Sequence, residues 1–507
     1  LQEEFMIIDD QHYDVIIVGS GAGGGTLAQK LAPSGKRILI LERGSRMDLA
    51  DQNRADVDVF KKERYHAPEQ WYDQAGEPFS PQTNYAVGGN TKIYDAVLMR
   101  MRDRDFTAVP HQEGIAPEWP IKYADLEPYY TAAEQLYQVH GDGQNDPTEP
   151  AHSGNYPHGA VDHEPLMQPI VAAIAGQDLH PTPLPVSLTD QTDDPTGDAE
   201  VFGIDLAVKS DQVTLKSGAK VVCLHTNPAG TEIKGVQAEI GDQAFLFKAD
   251  IVVLACGAVN SAALMLTSAN EQHPSGLANG SDQVGRNLMK LQMTVMVQRF
   301  TSANSAQFPR SVSINDFYWG DRDYTYPMGH IENTGGLFQD VVFAESPPLL
   351  SVLAQLLPGS RLKHLATHSV GWWAQTGVLP DPKNRVYWRK GKLRYEFEPN
   401  NFEAHDRLVY RWLEVLKSIE KGIKDAQSNT MFPRGEVPLS VVGYQCGTCR
   451  MGSDPATSVL DVNCRTHGID NLYVVDSSFF PSCPSVSPAL TVMANALRVG
   501  EHLLSRF

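Results

Sequence analysis

YDVIIVGSGAGGGTLAQKLAPSGKRILILERG, residues 13–44, is the stretch that decides the fold. It opens on an unbroken apolar run, Val15 to Val18, passes through a glycine-rich turn and a helix-compatible segment, and closes on a second apolar run, Ile38 to Leu41. Continuous Val/Ile/Leu runs, in place of alternation, suit parallel strands covered on both faces. The spacing predicts a βαβ unit. Gly19, Ser20, Gly21, Ala22, Gly23 and Gly24 fit GxGxxG. In that pattern the first glycine makes the tight turn, the second lets the main chain approach a pyrophosphate, and the third lets helix pack on strand. The helix start then receives phosphate through its free N–H groups and its dipole. Glu42 stands at the end of the second strand, about 20 residues on, where an acid accepts hydrogen bonds from a ribose diol. Its charge would repel a 2′-phosphate and disfavours NADP. Arg43, directly after it, is counted among the cofactor contacts. The motif does not choose between NAD and FAD. Its N-terminal position, joined to a C-terminal NLYVVDSSFFP (471–481), is the arrangement of large FAD proteins.

Around this unit the chain of 507 residues is 42% hydrophobic and 20% charged, an ordinary globular composition with material for two or three domains. A formal charge of −19 argues against a nucleic-acid partner, because phosphate binding needs a basic face. No apolar run approaches the roughly 18 residues needed to span a membrane. The opening LQEEFMIIDD is acidic and has no basic stretch leading an apolar one, so no signal peptide is read there and Met6 is the expected natural start. The expectation is a cytoplasmic protein with a small-molecule substrate and no membrane partner; its oligomeric state is left open. Cys446 and Cys449 form a CxxC, but no second ligand pair exists to complete a zinc site, and packing is the expected role of the six cysteines.

Apolar strands near residues 15, 38, 251 and 472 enclose long insertions, which points to one cofactor domain assembled from distant segments. Further matching pieces are VGGNT (87–91), WPIKYADLEPYY (119–130), VVLACGAVNSAALML (252–266), VGRNLM (284–289), GTCRMG (447–452), and the final SPALTVMANALRVGEHLL (487–504). Together these segments resemble the glucose–methanol–choline (GMC) oxidoreductase family through most of the chain. The resemblance implies an α/β fold, α+β overall, with a Rossmann-like FAD-binding domain and an inserted antiparallel-sheet substrate domain. The expected boundaries are 1–110, 201–290 and 441–507 for the FAD-binding segments, 111–200 for a connecting segment, and 291–440 for the substrate-binding domain.

The same resemblance implies FAD held through Gly19 to Gly24 and Glu42. Gly88, Gly89, Asn90 and Thr91 would lie along the pyrophosphate and isoalloxazine, and Val221 would meet the adenine through its main chain. Cys256 and Gly257 would sit near that end, with Asp476 and Ser477 on the pyrophosphate or ribityl chain. The closing helix would start near Pro488, its dipole stabilising negative charge on the flavin. GGNTKIYDAV (88–97) has no His or Cys for a covalent bond, so non-covalent FAD is expected. Asp95 is unusual beside a flavin, where a carboxylate is costly unless solvated or paired. A solvated loop acid is the expectation.

One feature breaks the pattern. Family members that oxidise alcohols send hydride to flavin N5 while a histidine, three positions before the Gly of GT, takes the hydroxyl proton. A His or Asn just before the Pro of the last helix assists. Here those positions hold Tyr444 and Ser487. Neither is a competent base: a phenol has a reference pKa near 10 and a serine hydroxyl lies far higher. Several readings remain. The chain is an FAD oxidoreductase whose substrate needs no strong base, or one whose base has moved, with His330, His364, His368, His405 and His467 as possible deputies. Alternatively the flavin pocket serves a non-redox cyclisation, isomerisation or elimination with Tyr444 as donor, helped by aromatic stretches such as SVGWWAQTG (369–377). A catalytically silent FAD-binding protein and an NAD-type fold complete the set.

Overall fold

The computed structural model describes all residues except 1–5, 48–66, 82, 190–195, 304–309, 337–359, 362, 363, 365, 366, 424, 428–438, 441 and 442. The opening stretch forms β1 (Ile7–Val18), α1 (Ala22–Leu31) and β2 (Ile38–Glu42). Helix α2 spans Tyr123–Leu136. Strands β3 (Val213–Ser217), β4 (Ala219–Thr226), β5 (Ile233–Ile240) and β6 (Gln243–Leu254) follow, and then α3 (Ala258–Thr267). β1 runs parallel to both β2 and β6, β3 joins β2, and a late strand, Leu472–Val474, joins β6. Five parallel segments from opposite ends of the chain therefore make one sheet, to which β4, β5 and the first part of β6 add an antiparallel meander. Val15, Ile16, Ile17 and Ile38 to Leu41 are sealed from water, as unbroken apolar runs in a sheet covered on both sides require. The closing helix, Ala489–Arg506, packs against α1 and α2, and Tyr130 and Thr491 hydrogen-bond across that contact at 2.7 Å.

The second sheet is antiparallel and holds β7 (Gln292–Arg299), β8 (Val312–Ile314), β9 (His330–Gly336) and β10 (Ser369–Thr376), in the order β7-β10-β9-β8 with Thr182–Pro183 at the edge. Alternate residues on a strand face opposite ways. Ile331, Trp372, Ala374 and Met296 therefore point into a core with α4 (Phe402–Glu420), where Trp372 meets Trp412 edge-on at 4.8 Å. Glu332, Trp373 and Gln375 share the other face. The aromatic stretch thus divides by period two, one tryptophan for the core and one for the site. The amphipathic run that α4 realises stops at Glu420, two residues before Gly422. No helix among the described residues is long and apolar enough to cross a membrane.

Candidate functional site

The glycine turn leaves β1 at Gly19 and enters α1, whose N-cap is Gly21 and whose first turn has no side-chain cap. Ser20 is the hub of this region. Its N–H and hydroxyl both donate to the Glu42 carboxylate, at 3.0 and 2.7 Å, while its hydroxyl oxygen accepts from Gly88 N–H at 3.1 Å. One serine thus ties the first glycine turn, the acid at the end of β2 and the second glycine loop together. Glu42 also accepts from Gly44 N–H, and burial raises its carboxyl above the usual range despite those bonds. In the second loop Thr91 donates to the Gly88 carbonyl and accepts from Ala199 N–H, and Asn90 accepts from Asn84 N–H.

Two glycines test whether a dinucleotide fits. A Cβ added at Gly21 would stand at van der Waals distance from Gly88 and Gly89, filling the gap between the two glycine loops without striking either. At Gly257, which has φ +87 and precedes α3, a Cβ would meet open space. Main-chain N–H groups at two helix starts, open ground before them, and a buried acid beyond make a donor set suited to phosphates and a ribose. FAD fits this cradle: Gly19 to Gly24 and Gly88 to Thr91 would hold its phosphates and Glu42 a ribose.

Other expected contacts are engaged within the protein. The Asp476 carboxylate accepts from Gly257 N–H, Ser261 and Ser478, so it holds the Gly257 turn in place. Ser477 donates to the Gln445 carbonyl at 2.6 Å. Arg43 pairs with Glu69 and lies 3.6 Å over the Tyr85 ring. Val221 is half-buried on β4 beside a bulge. The Cys256 thiol is pushed up to about 12, first by burial. The CxxC is not one unit: Cys446 lines a cleft with Cys483, whereas Cys449 packs on Met265.

Tyr444 is where the structure adds most. It borders a small cleft with Cys446, Cys483 and Pro488. Ser487 adjoins that cleft through Pro488, and its hydroxyl oxygen lies 3.5 Å from Ala489 N–H at the start of the closing helix. The Tyr444 phenol oxygen accepts from Arg310 at 3.3 Å. The same guanidinium pairs with Glu332 at 3.0 Å and Asp95 at 2.9 Å, and lies 4.1 Å over the Trp373 ring. Asp95 is therefore paired as well as partly exposed; the pairing arises because the second sheet brings Arg310 over the glycine loop. Burial, the largest influence, pushes the Tyr444 phenol up to about 12 although Arg310 pulls it down. Burial also works to raise Glu332, but Arg310 and His330 outweigh it and the carboxyl ends below its usual range.

Of the five histidines, only His330 reaches this cluster, and both its ring nitrogens are engaged, with Asn315 at 2.7 Å and Glu332 at 3.3 Å. His405 lies under the second sheet between Thr294 and Thr376, His467 bonds Ser458, and His364 and His368 stack on each other. Reading the sequence alone does not single out Arg310 or Glu332. No motif marks them, since an arginine and a glutamate 22 positions apart have no periodic relation.

Known proteins resemble this chain along nearly its whole length. Residues 420–496 match the GMC oxidoreductase family model. The chain is 28% identical to 6'''-hydroxyparomomycin C oxidase of Streptomyces lividus, over 98% of this chain and 92% of that protein. It is also 28% identical to paromamine 6'-oxidase of Streptomyces fradiae, over 98% and 93%. The C-terminal match and these relatives along nearly the whole chain support a GMC-type FAD oxidoreductase. It is an FAD-dependent enzyme, and its α/β fold matches solved relatives. Pyridoxine 4-oxidase from Mesorbium loti superposes with a TM-score of 0.71 at 18% identity, covering 97% of this chain and 99% of that one. Formate oxidase of Aspergillus oryzae gives 0.72 at 15%, covering 98% and 99%. Tyr444 thus sits in a buried ionic cluster drawn from distant segments of the chain.

Proposed function

We propose that this GMC flavoenzyme oxidises a CH–OH group of a polyhydroxylated, amino-sugar-like small molecule, with FAD bound non-covalently. FAD supplies the acceptor for the hydride that leaves the substrate carbon. The observation that carries the reading is the hydrogen bond from Arg310 to Tyr444. A guanidinium has only donors, so the phenol oxygen must be the acceptor. The phenol hydrogen then points elsewhere, and among the described residues nothing takes it. With its pKa near 12 the phenol keeps that hydrogen at neutral pH and can donate it to a substrate oxygen. Such a bond strengthens as the oxygen becomes a carbonyl with partial negative charge. Two relatives matched along nearly this whole chain are named as oxidases of 6'''-hydroxyparomomycin C and of paromamine, and the two acids on Arg310 give the site an acidic balance that suits a cationic, amine-bearing substrate.

The test is anaerobic mixing of the yellow protein with paromamine, simple primary alcohols, neutral sugars and aryl alcohols while flavin absorbance is followed. Bleaching by paromamine in preference to the others is expected. A neutral phenol donor also serves a non-redox rearrangement, so tight binding of a ligand with no bleaching by any alcohol would move the assignment there.

A further inference from the structure

Loss of the histidine leaves the reaction without an evident acceptor for the hydroxyl proton. His330 has both nitrogens occupied, and Glu332 accepts from Arg310, Gln375 and His330 while only 2% exposed. The second acid on Arg310 differs in its exposure to solvent. Asp95 is 26% exposed, and it stands four residues beyond Thr91 of the glycine loop. Its backbone is strained as well: Asp95 and Ala96 are consecutive non-glycine residues with φ of 55° and 56°, and Tyr444 has φ 60°. Left-handed backbone outside glycine is strained and persists only where the surroundings impose it, often at functional sites. Two such residues, Asp95 and Tyr444, meet at one guanidinium. One terminal nitrogen of Arg310 holds the Asp95 carboxylate and the other holds the Tyr444 oxygen, so a proton acceptor and a proton donor are fixed side by side.

We propose that Asp95 is the catalytic base of this enzyme, taking the proton of the hydroxyl whose oxygen Tyr444 holds. This rests on the oxidase reading above. The carbon gives up its hydrogen with the bonding pair to the flavin. The O–H bonding pair becomes the second bond of the new carbonyl, and the freed proton goes to the Asp95 carboxylate and then to solvent. Arg310 positions both partners and takes no proton, since it stays charged throughout.

The experiment is stopped-flow flavin reduction of the holoenzyme by paromamine, comparing the parent with Asp95→Asn and Asp95→Glu. Asp95→Asn should lower the limiting reduction rate by about 10²–10⁴, with FAD content and paromamine Kd changed by less than about threefold and the protein still folded with a single thermal transition. Asp95→Glu should restore part of the rate, and the solvent isotope effect should grow in Asp95→Asn as proton removal becomes limiting. A limiting rate within about threefold of the parent, or a loss confined to Kd, would overturn the base role and leave the oxidase reading standing. Failure of the parent to bleach with every alcohol class would instead overturn the oxidase reading, and the base role with it.

Discussion

Arg100 and Arg310 are both buried arginines, and each is held by two carboxylates and touches a tyrosine, yet they do different work. Arg100 makes a bidentate pair with Glu134, both contacts at 2.7 Å, and further bonds to Glu127, Thr131 and the Tyr123 hydroxyl. Those four partners lie at positions 123, 127, 131 and 134, one face of α2. Arg310 draws Asp95, Glu332 and Tyr444 from three segments far apart in the chain. The two tyrosines show the difference best. Each phenol oxygen accepts from its arginine, but Tyr123 passes its own hydrogen to the Ala151 carbonyl at 2.7 Å. For Tyr444 no such acceptor exists among the described residues. The first cluster is closed and staples a helix; the second has a donor left over for a ligand.

Removing charge from the closed cluster should give the largest effect. Arg100→Met leaves Glu134 buried without its partner, a change worth about 3–5 kcal/mol of stability. Denaturant unfolding should show it, with the limiting flavin-reduction rate per bound FAD unchanged. Tyr444→Phe is the mirror image. Loss of one donor to a charge-developing oxygen costs on the order of 10² in rate. Stopped-flow reduction should register that fall per bound FAD, beyond any loss of stability; an unchanged rate would remove Tyr444 from the mechanism.

Tyr123→Phe is the matched control in the staple. It deletes a hydrogen bond to a charged group and should cost about 1.5–3 kcal/mol in unfolding with no change in rate. If Tyr123→Phe slowed flavin reduction as much as Tyr444→Phe, the distinction between the clusters would collapse. The smallest expected effect is an acid one. Burial works to raise Glu127, but hydrogen bonds from Ser153, Arg100 and Thr131 outweigh it and bring the carboxyl down to about 2. A carboxyl depressed on folding contributes stability that is complete above its unfolded value, near 4.3, and fades as pH falls toward 2. Glu127→Gln should therefore flatten the acid limb of the stability curve between those values, as followed by tryptophan fluorescence.

Much of the molecule is legible in the linear chain. The βαβ unit reads directly from Val15–Val18, GSGAGG and Ile38–Leu41, because burial on both faces demands unbroken apolar strands and helix packing demands glycine. The break at Tyr444 and Ser487 is legible too, being a departure from a spaced motif. Asp95 stands out as an acid in the glycine loop, but its pairing does not, since nothing in the linear order hints at Arg310. The histidine deputies rest on residue type alone. Their surroundings, invisible in one dimension, decide that four lie elsewhere and the fifth is fully engaged.

By itself, then, the sequence determined the βαβ scaffold through local periodicity and a short motif, while the cofactor class and the missing base were legible through the family resemblance. The tertiary structure alone decided what surrounds the phenol. A guanidinium from the start of β8 reaches a glycine-loop acid, a strand glutamate and a C-terminal tyrosine only because two sheets and a closing segment fold onto one another. Contacts between residues hundreds of positions apart leave no periodic trace in the chain.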